Sequence, residues 1–509
     1  MLPTSTRSPW RRWLAALLVL VLIAAACGDS DDGDADADTA AATETTGEAA
    51  ADDSDETATA EAATDETEAP ASDDGGDGGG DGEQVTIRWF VGLGTGSQPE
   101  QIEAQEAIVA RFNETHPNID LQVEFVDNEV ANDTLATQIA GGNAPDIIGP
   151  VGIRGSNAFA GEFLDLEPLV EASGFDLSVY DPAQVEFWRE DDGTLTALPF
   201  GVFPSFIYYN TELFDEAGLA YPPHELGEPY ADGDPWDMDK LAELAAILTV
   251  DANGNDATSP DFDRDDVVQF GFTHQWGDDA RAQGSFFGGG SFVADDGSAQ
   301  IPEHWLAQWQ WHHDLIWETG AAPNQSYLDS ELLNAGNTFT SGNMGMVFTH
   351  LWYTCCVRDD DGNGKEFFDI AVAPSYEGTT TSKLHADIFR ILDSTEHQEE
   401  AFEVLQFLLS DAAGDLLNIY GGMPARGDLQ DAFFEGLDET FPQGVDWEVA
   451  RASLAIPDEP SHEGNMPAFL EAEARIDQFE SLIASDPDLD LEAEAESLRA
   501  DLDVIFTAG

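Results

Sequence analysis

VTIRWFV, residues 85–91, decides the fold, because a short apolar run with β-branched residues reads as a buried strand. A glycine-rich turn, L-G-T-G-S-Q from Leu93 to Gln98, follows it. From Gln101 to Asn113, Ile102, Ile108, Val109 and Phe112 fall near helical spacing, and Pro117 stands just past the expected stop. Ile119, Leu121, Val123 and Phe125 then alternate as a second strand. Strand, helix and strand in that order imply a parallel sheet with helices packed on its faces. A second helix carrying Leu135 and Ile139 runs into Gly141, Gly142 and Asn143. The glycines accept left-handed backbone angles and Pro145 blocks continuation, so A-P-D-I-I-G is the next strand. The fold class is α/β.

Upstream of this opening the chain changes character. Arg7, Arg11 and Arg12 precede an apolar run from Trp13 to Ala26, too short for a lone membrane span and the length of a signal-peptide core. The run ends in L-I-A-A-A-C-G and resembles a bacterial lipoprotein signal, in which the cysteine, here Cys27, is lipidated and becomes the mature N-terminus. Residues 1–26 are therefore expected to be removed. Gly28 to Glu83 has no lysine, arginine or aromatic residue, and it cannot bury enough apolar surface to offset its ordering entropy. Residues 27–83 read as a lipidated cysteine and a disordered acidic tether that holds the remainder outside the membrane but near it.

The remaining 426 residues, Gln84 to Gly509, are too many for one core and natural for two lobes. The whole chain carries −84; taking away the 21 acidic residues of the tether and the three basic residues of the signal leaves 81 acidic against 15 basic, or −66. Nucleic acid and anionic membrane surfaces are excluded as partners on that ground. After Cys27 the only cysteines are Cys355 and Cys356, so no disulfide framework supports the fold. Their Cα atoms, one trans peptide apart, are closer than an ordinary disulfide wants, so two buried thiols are expected, with a strained vicinal disulfide as the alternative.

Several longer segments carry a family resemblance: A-R-F-N-E-T-H-P-N-I-D-L-Q-V, I-A-G-G-N-A-P-D-I-I, A-G-E-F-L-D-L, and T-A-L-P-F-G-V-F-P-S-F-I-Y-Y-N-T-E-L-F-D-E-A-G-L. F-T-S-G-N-M-G-M-V-F-T-H-L-W and G-G-M-P-A-R continue it. In this order they resemble the extracellular solute-binding proteins of sugar-type ABC importers, the maltodextrin-binding kind included. The resemblance implies a periplasmic-binding-protein-like fold, two α/β lobes discontinuous in sequence and joined by a hinge, closing on a sugar or oligosaccharide. It also implies a monomer that docks on the transmembrane subunits of an ABC permease, with no cofactor and no catalysis.

A sugar site needs flat apolar faces against pyranose rings and planar polar groups for the hydroxyls. On the resemblance, Trp352, just after the G-N-M-G-M-V-F strand, is a stacking residue, and Trp276 in T-H-Q-W-G-D-D faces the cleft. Tyr208 and Tyr209 lie on a crossover strand, where alternation sends one to the cleft and one to the core. Either phenylalanine of S-F-F-G-G-G faces the cleft or packs, and Phe287 is the candidate. Ser97 sits in the turn after the first strand, where ligands meet the carboxyl ends of parallel strands. Arg154, Asp387 and Arg426 are isolated polar candidates. Trp305 and Trp309, one turn apart, are expected to pack their helix onto its lobe.

In the loop D-A-N-G-N-D-A-T-S-P-D-F-D, Asp251, Asn253 and Asn255 alternate around Gly254, and with Asp261 they are candidate ligands of a structural calcium. The glycine and the last ligand depart from the EF-hand spacing. His304, His312 and His313 share a helix without a zinc pattern. No serine elbow, phosphate loop or H-E-x-x-H occurs, and paired carboxylates carry no signal in so acidic a chain. Two other readings stay open: a cleft for a cationic solute such as a polyamine or quaternary amine, using the same aromatics, and a secreted glycan-active enzyme.

Overall fold

A computed structural model describes residues 84–509 except 191–192, 276–278, 334–336, 359–363 and 509; the signal, Cys27 and the tether lie outside the described residues. Strand β1 (Val85–Val91) pairs in parallel with β2 (Ile119–Phe125) and β3 (Ile147–Val151), and helices α1 (Pro99–Thr115) and α2 (Asn128–Ala140) connect them. The β1–α1–β2 opening matches its sequence pattern closely. Phe112 and Ile108 of α1 and Leu135 of α2 are buried against the sheet.

The element that joins the lobes is β4 (Leu198–Asn210), buried along all 13 residues. Its first half pairs antiparallel with a late strand, β8 (Leu384–Ile391), which itself lies beside β3. Its second half pairs with β6 (Met344–His350) and β7 (Phe368–Ala371), and β6 lies parallel to β5 (Val267–His274). One strand therefore belongs to both lobes. The change of partner falls at Pro204–Ser205, where Ser382 donates from its hydroxyl to the Ser205 carbonyl at 2.9 Å and accepts from the Ser205 amide at 3.0 Å. Proline has no N–H to leave unpaired at such a switch.

Helix α3 (Met238–Leu248) backs the second lobe and meets β5 at Gly271, where an added Cβ would lie 1.9 Å from the Ala245 carbonyl oxygen. Helix α4 (Glu303–Asp314) lays Trp305 and Trp309 into the core, with no exposed surface on either ring. This is the role their spacing implies. Helices α5 (Gln398–Leu409) and α6 (Ala413–Tyr420) return to the first lobe. Helix α7 (Phe469–Ser485) then packs on α4 and on the closing helix α8 (Leu491–Ala508).

Two buried histidines make the second lobe acid-sensitive. His312 donates from Nδ1 to Gln283 Oε1 at 3.0 Å, and burial, with a smaller contribution from His313, pushes its imidazole down to about 4. Burial also holds His274, whose ring lies 4.9 Å from that of His312, well below the ordinary range. An unfolded chain takes up a proton near pH 6.5 at each position and the folded chain does not. Stability is thus complete above about pH 6.5 and falls as pH drops toward about 4, at up to roughly 1.4 kcal/mol per pH unit for each histidine. Urea unfolding between about pH 7.5 and about pH 5 should show His312→Gln losing less stability than wild type. Equal losses would place the sensitivity elsewhere.

Candidate functional site

A cavity of about 890 Å³ lies where the two halves of the sheet meet. One wall comes from the first lobe: Asp181, Gln184, Phe187 and Trp188, on and flanking the short helix Pro182–Glu186. Its floor is the crossover, with Pro199 and Val202 of β4 beside Leu384 and Ala386 of β8. The opposite wall is the segment Leu454–Gly464 together with Ser291. Phe187 is 42% exposed, an unusual state for a large apolar ring, and meets Trp188 edge-on at 4.9 Å. Trp188 is buried, with the Arg390 guanidinium 5.4 Å from its ring.

The segment Leu454–Gly464 is held from behind by glycines. An added Cβ at Gly289 would lie 2.3 Å from the Glu459 nitrogen, and the Gly290 amide donates to the Pro460 carbonyl at 2.9 Å. His304 and Trp305 donate in turn to the Gly289 and Gly288 carbonyls, both at 2.9 Å. S-F-F-G-G-G therefore supports the cavity wall through its backbone.

Behind the floor lies a cluster of histidines and carboxylates. His385 Nδ1 is 2.6 Å from Glu463 Oε1, His462 Nδ1 is 2.6 Å from Asp458 Oδ2, and the two Nε2 atoms are 3.1 Å apart. Asp458 and Glu463 also line the cavity. The Trp352 ring stacks on His350 at 4.1 Å, meets His385 edge-on at 4.7 Å and tilts against Phe203 at 5.4 Å. Asp387 keeps some contact with solvent, yet burial and then the Glu463 charge push its carboxyl up to about 7. Burial likewise lowers His385, against the opposing pull of Glu463. Gly152 brings the backbone after β3 to this group, since an added Cβ there would lie 3.7 Å from Asp387 Oδ1 and 3.8 Å from Glu463 Oε1.

The sequence candidates distribute unevenly over this arrangement. Trp352 and Asp387 join the cluster, and neither lines the cavity. Tyr208 and Tyr209 are both fully buried, and neither lines the cavity, contrary to the expected division. Tyr208 packs against Phe206, Tyr353 and Phe368, while the Tyr209 hydroxyl donates to Asp369 at 3.3 Å. A strand shared by two lobes is covered on both faces, so alternation separates two cores there. Phe287 is another correction: it stacks on Tyr376 at 4.0 Å in the second lobe.

Arg426 forks onto Asp428 at 2.9 and 3.1 Å and donates to the Leu409 carbonyl, away from the cavity. Ser97 is half-buried in the turn after β1 and does not line the cavity. Arg154 lies in the short helix Ile153–Asn157 after β3, and Trp276 falls outside the described residues. Phe187, Trp188, His385, Asp458, His462 and Glu463 went unread. Only Asp458, His462 and Glu463 share a sequence signal, the concentration of proline, acid and histidine in P-D-E-P-S-H-E-G, residues 457–464; Phe187, Trp188 and His385 have none.

Cys355 and Cys356 form a disulfide, which replaces the expected pair of buried thiols. Cys355 is exposed and Cys356 half-buried at the end of the turn Leu351–Cys355, so the burial behind that expectation does not exist. Cys355 lies against Gly421, at the end of α6 in the first lobe. In the Asp251 loop, the Asp251 carboxylate accepts from the amides of Asn253, Asn255 and Asp263 and from the Asn255 side chain, at 2.8 to 3.0 Å. Burial pushes that carboxyl up, and the N–H donors outweigh it and hold it below the usual range. These bonds fold the loop around the Asp251 carboxylate.

The sequence profile of the bacterial extracellular solute-binding proteins matches residues 95–415. Among solved structures, an ABC substrate-binding protein of Listeria monocytogenes in complex with cycloalternan is similar over 83% of this chain and 99% of its own, at 17% identity and a TM-score of 0.63. Maltose-bound MalE3 of T. maritima is similar over 82% and 99%, at 18% identity and 0.61. The cyclic alpha-maltosyl-1,6-maltose binding protein of Arthrobacter globiformis is similar over 84% and 99%, at 16% identity and 0.60. These likenesses speak for the fold. With the profile spanning most of the chain and a cavity between lobes that share a strand, the chain belongs to the bacterial extracellular solute-binding protein family.

Proposed function

We propose that this chain captures a sugar or oligosaccharide between its lobes and hands it, unchanged, to the permease of an ABC importer. The cavity carries the reading: about 890 Å³ is near the upper end of the roughly 300–1,000 Å³ of small-molecule sites, and its walls offer aromatic faces beside carboxylates. A volume of that size favours a ligand of more than one ring. The sugar-bound proteins of similar fold support the same solute class. Closure around the shared strand is the expected response to ligand, and saturating oligosaccharide should reduce the radius of gyration in solution X-ray scattering. An unchanged profile with bound ligand would contradict a closing cleft.

Asp181, Asp458, Glu459 and Glu463 at the cavity favour a second reading, a cationic solute such as a polyamine. Its binding would weaken steeply with ionic strength and sugar binding would not.

Among the described residues no helix is long and apolar enough to cross a membrane. The proposed attachment is the lipid on Cys27. Cys27→Ala should release the protein into the medium or leave it as unprocessed precursor, read by fractionation and mass. Normal processing with unchanged membrane association would sink the anchor.

A further inference from the structure

The proposed solute site leaves unexplained why two imidazoles point bare nitrogens at each other beside it. His385 stands on β8 between Leu384 and Ala386, both at the cavity, and His462 lies in the wall segment. Each Nδ1 is 2.6 Å from a carboxylate oxygen, Glu463 Oε1 for His385 and Asp458 Oδ2 for His462. A carboxylate accepts, so each Nδ1 carries the hydrogen, and in a neutral imidazole that leaves Nε2 with a lone pair. The two lone pairs meet at 3.1 Å. Such a contact is repulsive unless something positive lies between the nitrogens.

We infer that a divalent transition-metal ion of the zinc class binds between His385 Nε2 and His462 Nε2. Two nitrogens each about 2.0–2.1 Å from one ion, at an angle of about 100–110°, stand about 3.1–3.4 Å apart, which is the spacing found here. The carboxylates behind the rings are the outer partners that metal-binding histidines use: they fix the tautomer, aim the ring and raise the basicity of the ligating nitrogen. Asp458 is itself fixed, accepting from the backbone amides of Leu384 and His462, both at 2.8 Å. Donor atoms of His385, His462 and Glu463 all fall within 4.8 Å of one another, the one such group of three among the described residues.

Imidazole donors select zinc, copper(II) or nickel over calcium and magnesium. The carboxylates of Asp458 and Glu463 behind the rings favour a cation electrostatically. Two protein donors leave coordination positions for water. The ion would also tie β8 to the wall segment and so stiffen the cavity. This inference does not depend on the solute being a sugar.

The test is calorimetric titration of zinc into untagged, chelator-treated protein with excess magnesium present to occupy surface carboxylates, together with the visible spectrum of the cobalt(II) form. One equivalent should bind, and cobalt should give the intense visible absorption of a low-coordinate site with nitrogen donors. His462→Ala and His385→Ala should each abolish that equivalent, and Asp458→Asn should weaken it by about 10- to 100-fold. His385 is less buried than His462, so its variant carries the comparison if His462→Ala does not fold. The wild-type cobalt spectrum requires no variant. Absence of one-equivalent binding would overturn the proposal and assign a shared proton to the pair. Binding undiminished in His385→Ala, or a weak spectrum typical of oxygen ligands, would overturn it as adventitious surface binding.

Discussion

Phe187→Ala should weaken sugar binding by about 2–3 kcal/mol, roughly 30- to 150-fold in Kd, and leave the unliganded protein's stability within about 0.5 kcal/mol. The asymmetry follows from exposure. Phe187 is in water at the cavity wall before ligand arrives, so truncating it opens no internal void. A pyranose face laid on the ring removes that apolar surface from water only in the complex. Trp188→Ala is a poorer test, because that ring is buried against Arg390 and its loss disturbs the lobe. Calorimetry and urea unfolding on the same variant separate the two effects. Near-native affinity would remove this wall from the ligand site.

The largest loss of stability is expected at Trp309. The ring is fully buried, donates from Nε1 to the Ala280 carbonyl at 2.8 Å and meets Phe479 edge-on at 4.8 Å. Trp309→Ala removes the packing of an entire indole together with its hydrogen bond to the Ala280 carbonyl, at a cost of about 3–5 kcal/mol. The folded fraction should bind ligand as wild type does, because Trp309 does not line the cavity. Urea unfolding that shows a loss below about 1 kcal/mol would mean that the lobe collapses into the space or that the ring is not core.

The parts of this fold that are legible in sequence are those set by local pattern. The β1–α1–β2 opening is visible because each element writes its own period within a few residues, and Trp305 and Trp309 sit one turn apart on one helix. Tyr208 and Tyr209 defeat the same method: alternation assigns opposite faces, and both faces of β4 are interior. His385 and His462 are 77 residues apart and meet only because β8 runs beside the wall segment, so no window of sequence contains the pair. Phe187 and Trp188 lie in an irregular stretch before β4, where an aromatic pair has no period to reveal which side it faces.

The central claim is that the interlobe cavity takes a sugar. The most direct measurement is a thermal-shift screen of the purified protein over mono- and oligosaccharides and polyamines, each at low and high salt. One oligosaccharide class should raise the melting temperature progressively with concentration, as a ligand specific for the folded state does, and by the same amount at both ionic strengths. If no sugar shifted the melting temperature, and a polyamine did so only at low salt, the cavity would be a cation site and the sugar assignment wrong.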